Sequence, residues 1–162
     1  MPVTLVRIDD RLIHGQIVHA WLSYSQGNTI LIADDFAAKD PTQQLMLKLV
    51  APKTIKLVIK NIEEAVVYIR EHEEENIFVI VRNTKSMLDL LENGLEVNYV
   101  NLGNISNSKS ATGRKTLLKN IHVNEIDVEC INTIAKKGVK IEIQLVPDDK
   151  PIDAVELIKK NY

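Results

Sequence analysis

Two aspartates, an arginine and a histidine stand within six residues, at Asp9, Asp10, Arg11 and His14. Imidazole keeps a neutral, nucleophilic fraction near pH 7 and can attack phosphorus. Arg11 offers the planar fork of donors that grips phosphoryl oxygens in pairs. Asp9 or Asp10 would accept a hydrogen bond from the second ring nitrogen and set the tautomer. Gly15 follows, and Gln16 to Tyr24 reads as helix, so His14 falls at a helix start. Free backbone N–H groups and the positive dipole end favour an anion there. Phosphoryl transfer asks a protein chiefly for positioning and charge stabilisation, and this cluster supplies both. The same residues admit other readings. His14 beside two acids would also suit a structural or surface histidine. Asp9 and Asp10 would suit a helix cap. Arg7 alternates with apolar neighbours and would suit a paired strand residue near the sheet end. Asp10 and His14 are four apart, a spacing that suits a metal and a metal-dependent hydrolase.

Other chemistries lack their usual parts. The six glycines fall in neither G-x-G-x-x-G nor G-x-x-x-x-G-K spacing, so a nucleotide phosphate cradle is missing. No serine sits in a G-x-S-x-G turn, and Cys130, the single cysteine, lies in an amphipathic helical pattern that suits burial. One cysteine excludes a disulfide framework within the chain and a Cys-rich zinc site, and a reducing cytoplasm is the expected setting. No cofactor and no metal is expected. The net charge of −2 does not call for a nucleic-acid partner. The apolar start of MPVTLVRIDD is too short for a signal-peptide core, and no run approaches the roughly 20 apolar residues of a membrane helix.

The elements that would hold the cluster alternate. Strands are expected at Val3–Ile8, Thr29–Ala33, Ile55–Ile59, Ile77–Val81, Val97–Leu102, near Asn120–Val123, and at Val139–Val146. Between them, Asp40 and Pro41 open a helix, with Gln43 placed to complete a capping box and Leu45, Leu49 and Val50 as its apolar face. Asn61 caps a helix with Ile62, Ala65, Val66 and Ile69 as its stripe. Thr84 to Asn93 is helical and stops at Gly94. Asn124 caps a helix that ends at Gly138, and Pro151 to Lys160 is the last. Gly103 to Arg114 is polar and reads as a long loop. With 162 residues, 45% of them apolar, the chain fits one domain, 1–162. The expected fold is α/β: an open, mainly parallel, doubly wound sheet of about seven strands with helices on both faces. In such a sheet ligands bind outside the carboxyl ends of the strands, where the first turn is the richest in chemistry. Asp34 and Asp35 would border that site or cap the next turn, and Trp21 would pack in the core.

The run RIDDRLIHGQIVHAW, Arg7 to Trp21, resembles the signature of the mannose/fructose/sorbose-class IIB subunits of the bacterial phosphoenolpyruvate-dependent sugar phosphotransferase system. LIADDFAAKDPTQQLMLKLVAP, VNLGNI and KKGVKIEIQLVPDD resemble further parts of that family, so the likeness extends along the chain. The resemblance implies that His14 carries the phosphoryl group, on Nδ1, with Arg11 and Asp10 beside it. It implies that Arg7, Asp9, Gly15 and Gln16 contact phosphate or partner. The implied relay receives phosphate from a IIA phosphohistidine and passes it to a sugar carried by membrane IIC and IID subunits. The implied location is cytoplasmic, peripheral to the inner face of the membrane. A regulatory phosphohistidine module without a transport role is the alternative, and a homo-oligomer would suit the apolar last strands. The turn after the fifth strand is Gly103-Asn104, where many members carry a second glycine.

Overall fold

A strand that is apolar throughout must be covered on both faces, and Ile77–Val81 is buried at every position. It lies within a sheet that organises the molecule. The structure, a computed structural model, describes residues 2–107 and 113–162. In chain order the elements are β1 (Val3–Asp9), α1 (Gly15–Ser25), β2 (Thr29–Ala33), α2 (Pro41–Val50), β3 (Lys56–Lys60), α3 (Ile62–Glu71), β4 (Ile77–Val81) and α4 (Thr84–Glu92). They continue with β5 (Tyr99–Asn104), β6 (Lys115–Leu118), β7 (Ile121–Val123), α5 (Glu125–Lys136), β8 (Lys140–Ile143), β9 (Ile152–Asp153) and α6 (Ala154–Asn161). The main sheet has seven strands in the order β3-β2-β4-β1-β5-β8-β9. Its pairs are parallel except β8 with β9.

Side chains alternate between the faces with period two, as a pleated strand requires. Leu5, Ile30, Ile32, Phe78 and Ile80 point to one side and pack with Val18, Trp21, Leu22 and Leu47 from α1 and α2. Val6, Ile8, Leu31, Val79 and Val81 point to the other and meet residues of α3 to α6, among them Ile69, Met87, Ile131 and Ile158. The connection from β1 runs toward β2 through α1, and that from β4 runs past β1 to β5 through α4. These crossovers leave the adjacent strands β1 and β4 in opposite directions on opposite faces, so the connections reverse at the carboxyl ends of these two strands.

Local signals account for most helix boundaries. Asn61 accepts from Glu64 N at 2.8 Å. Asn124 and Asp127 close a full capping box on α5. Gly94 takes φ +106° after α4, a conformation that an L side chain rarely adopts.

The structure also departs from the sequence reading. Asn120–Val123 does not join the main sheet: β7 pairs with β6 as an antiparallel hairpin. The seventh strand of the main sheet is instead the two-residue β9, inside the segment read as the start of the last helix. Gly103 and Asn104 belong to β5, because Asn104 pairs with Asp9. The rest of the expected loop falls partly on residues 108–112, outside the described residues. Asp40 does cap α2, through Thr42 N at 3.0 Å, but Gln43 does not complete a box and its Oε1 is buried without a partner. The buried residue of α2 is Leu47, and Leu45, Leu49 and Val50 face outward.

Two truncations distinguish the sides of α2 in urea unfolding. Leu47→Ala is expected to cost about 2–3 kcal/mol, since it removes buried contacts and leaves a void. Leu49→Ala is expected to stay within about 0.5 kcal/mol, as an exposed change should.

Candidate functional site

The turn that leaves β1 is shaped by its first acid. Asp9 is 1% exposed, so its charge must be compensated inside the protein. Its carboxylate accepts from Arg7 Nη2 at 3.2 Å. It also accepts three bonds from Arg11: the backbone N at 3.0 Å, Nε at 2.9 Å and Nη2 at 2.9 Å. Arg11 is thereby gripped by a fork while its side chain stays 30% exposed. The bond to Asp9 raises the Arg11 pKa above its usual value, with burial opposing.

Arg7 is also 1% exposed and lies in the layer under α1, with its guanidinium 5.5 Å from the centre of the Trp21 ring. It donates to Asn101 Oδ1 and to the Gln144 carbonyl, which fastens β1 to β5 and to the end of β8. Asn101 Nδ2 reaches the same carbonyl at 3.1 Å. Burial lowers the Arg7 pKa to about 10, against the pull of Asp9, and leaves it protonated at neutral pH. A β-carbon on Gly103 would overlap the guanidinium carbon and both terminal nitrogens of Arg7. Gly103 is thus required by space: the backbone of β5 passes directly over the buried cation.

Asp10 turns the other way. Asn104 Nδ2 and Ser106 Oγ donate to its Oδ1 at 2.7 and 3.0 Å, and Ser106 N donates to Oδ2 at 2.7 Å. Arg114 Nη1 then holds the Ser106 carbonyl at 2.7 Å, and Arg114 lies 3.6 Å from Asp127, the capping acid of α5. One carboxylate therefore ties the β1 turn to the end of β5.

His14 is the N-cap of α1, in extended conformation, and its carbonyl accepts the first helical bond from Val18 N at 3.1 Å. The preceding Leu12 is buried and takes φ +61°, rare for a branched residue. That strained turn sinks Leu12 and Ile13 into the core and leaves His14 exposed at the rim. The His14 side chain makes no capping bond to the first turn of α1, and Gly15 and Gln16 are exposed. The N–H groups of that turn have no intrahelical acceptor. A β-carbon on Gly15 would meet nothing within 4 Å, so the protein itself does not demand glycine there.

The structure thus gathers the expected residues into one turn and redistributes their roles. Neither Asp9 nor Asp10 bonds the His14 ring: Asp9 is held by the two arginines and Asp10 by Asn104 and Ser106. Arg7 and Asp9, expected to contact phosphate or partner, are enclosed, and Asp9 bonds both Arg7 and Arg11. Asp34 caps the turn at Ala37 and is paired by both ends of the Arg82 fork, at 3.1 and 2.9 Å. Asp35 accepts from Ile62 N, and Trp21 is core, donating to the Leu145 carbonyl. Among the described residues no group of three or more His, Cys, Asp or Glu converges as metal ligands.

Sequence reasoning missed Asn101, Ser106 and Gln144. Asn101 had a signal, because a polar residue inside an apolar strand needs a buried partner, and Arg7 is the matching interruption in β1. Ser106 and Gln144 have none, since their bonds span 96 and 137 residues.

A family model described as the PTS system sorbose subfamily IIB component matches residues 3–162. The N-acetylgalactosamine-specific phosphotransferase enzyme IIB component 2 of Escherichia coli is 31% identical, over 98% of this chain and 100% of that protein. The mannose-specific EIIAB component of E. coli is 28% identical over 99% of this chain, which spans 49% of that longer protein. The crystal structure of the IIBSor domain of the sorbose permease from Klebsiella pneumoniae superposes with a TM-score of 0.93. It is 27% identical and covers 100% of this chain and 99% of that one.

The buried pair sets two expectations for chemical unfolding. Gly103→Ala should cost about 1–3 kcal/mol by displacing the Arg7 guanidinium. Asp9→Ala should cost about 3–5 kcal/mol, because it leaves the enclosed Arg7 without its counter-ion.

Proposed function

The chain belongs to the sorbose subfamily of IIB components of the sugar phosphotransferase system, a family of phosphocarrier subunits, and on that premise we propose that His14 is its phosphoryl acceptor. The observation that carries this reading is the placement of His14. It is an exposed N-cap, its ring is not engaged by either neighbouring acid, and Arg11 is clamped three residues before it.

The reaction has two halves. In the first, a neutral ring nitrogen of His14, Nδ1 by family resemblance, attacks the phosphorus of a phosphohistidine on a IIA partner. The P–N bond on the donor breaks as the new P–N bond forms, and no net proton transfer is required. In the second, a sugar hydroxyl attacks the same phosphorus, the bond to His14 breaks, and the hydroxyl proton passes to a base or water at the acceptor site. The sugar is presented by membrane IIC and IID subunits, which places this chain at the inner face of the membrane. No helix among the described residues is long and apolar enough to cross a membrane, in keeping with a subunit that meets its acceptor from outside the bilayer.

Each residue has a share in this scheme. The N–H groups of the first turn of α1, from Gly15 and Gln16 onward, donate to the phosphoryl oxygens. Arg11 adds a partly exposed cation from a set in which two arginines share the single charge of Asp9. Gly15 keeps the approach to those N–H groups free of a side chain. Asp10 is a positioning residue, fixing the turn through Asn104 and Ser106.

The test is phosphate uptake from phosphoenolpyruvate through the general phosphotransferase proteins and a mannose-class IIA subunit, read as intact mass. The chain is expected to gain one acid-labile phosphate and His14→Ala none. Arg11→Lys, which loses the fork, should slow uptake by about a hundredfold. Stoichiometric labelling of His14→Ala would overturn the assignment.

A further inference from the structure

Helix α2 turns its apolar side to solvent. Leu45, Met46, Leu49 and Val50 are 59, 61, 66 and 51% exposed. At 3.6 residues per turn these four positions fall within an arc of about 140°, roughly opposite Leu47. Leu47 is buried, and Gln44 is bonded to the carbonyls of Ala37 and Ala38. A contiguous exposed apolar stripe of this kind marks a surface that another body covers.

Charge identifies the body. The segment from Lys39 to Lys60 holds five lysines and one aspartate, a local charge of +4 in a chain whose net charge is −2, so the remaining residues carry −6. Lys56 pairs with Glu75. Among the described residues Lys39, Lys48, Lys53 and Lys60 form no ion pair. Lys39 precedes α2. Lys48 lies in its last turn, with the Lys53 ammonium 3.2 Å from the Lys48 carbonyl, and Lys60 ends the edge strand β3. The stripe is thus flanked by cations on an otherwise acidic molecule.

We propose that α2 and the adjoining edge of β3 lie flat on a bilayer surface rich in anionic lipid headgroups. Leu45, Met46, Leu49 and Val50 would enter the boundary between headgroups and acyl chains, and the lysines would meet the anionic layer. A lipid surface fits these residues better than a protein partner does. The stripe stands on the outer side of a helix, and the grooves lined by Leu95 and Tyr99, or by Asp35 and Asp89, involve none of its four side chains. Protein interfaces seat their anchors in pockets, whereas a fluid headgroup layer moulds itself around protruding side chains. α2 packs on the same face of the sheet as α1, the helix that His14 caps.

The test is co-sedimentation of the full chain with vesicles of phosphatidylcholine containing about 30% phosphatidylglycerol, against vesicles of phosphatidylcholine alone. Binding is expected to the anionic vesicles, to weaken as salt rises, and to be the same in His14→Ala. The double variant Leu45→Glu with Leu49→Glu is expected to lose at least about tenfold in partitioning, and Lys48→Glu with Lys53→Glu likewise. These side chains are exposed, so unchanged unfolding midpoints show that the variants remain folded. The proposal is overturned by absence of binding to anionic vesicles, by equal binding to neutral ones, or by binding that both double variants retain. It is also overturned if the lipid-free chain self-associates by light scattering and only that association is lost in the Leu45, Leu49 variant, which would give the stripe to a second copy.

Discussion

A carboxylate enclosed by protein is tolerable only when its charge is met, and the region around Asp9 is built to meet it. Two guanidiniums share that one acid. Arg7 approaches from within the sheet and Arg11 from the rim. The inner cation has needs of its own. Its Nη1 donates to Asn101 and to the Gln144 carbonyl just past β8, and β5 must carry glycine where it passes over. The charge arithmetic then favours the outer arginine. Two guanidiniums share one carboxylate, so the Arg7–Asp9–Arg11 set carries a net charge of +1, and Arg11 is its solvent-facing member. Removing Asp9 strands Arg7 inside the protein, and removing Arg7 leaves Asp9 to Arg11 alone, which couples the members of the set.

The two acids of the turn divide the labour. Asp9 fixes a side chain, and Asp10 fixes backbone by tying the β1 turn to Asn104 and Ser106. Leu12 accepts an unusual φ, and the bond from its N–H to the Asp9 carbonyl at 2.9 Å closes the turn around it. The strain is held by burial of Leu12 and Ile13 on one side and by the Asp10 bonds on the other. The result is a braced turn around one histidine whose ring, among the described residues, neither neighbouring acid engages. A phosphocarrier needs that combination, because its nucleophile must present the same nitrogen to a donor and later to an acceptor.

Much of this was legible in the residues. Period-two and period-3.6 patterns gave the alternation of strands and helices, and side-chain caps such as Asn61 and Asn124 marked where helices begin. The position of His14 at the start of α1 followed from the helix that Gln16 opens. What failed had identifiable causes. Helix α2 carries apolar residues on both sides, Leu47 inward and Leu45 with Leu49 outward, and periodicity alone does not say which side meets the sheet. The two-residue β9 is too short to show a period. The roles of the acids turned on which neighbour each would reach. Asp9 faces arginines two residues away on either side, but Asp10 is claimed by Asn104 and Ser106, 94 and 96 residues distant, which no local pattern reveals.

The central claim is that Arg11 meets the phosphoryl group while Arg7 supports it from inside. Nitrogen-15 NMR of the arginine side chains, before and after phosphorylation of the chain, tests this directly. The account predicts that the Arg11 guanidinium resonances move and slow in exchange when phosphate is added, and that those of Arg7 stay in place. Unchanged Arg11 resonances, or a response at Arg7 alone, would contradict it.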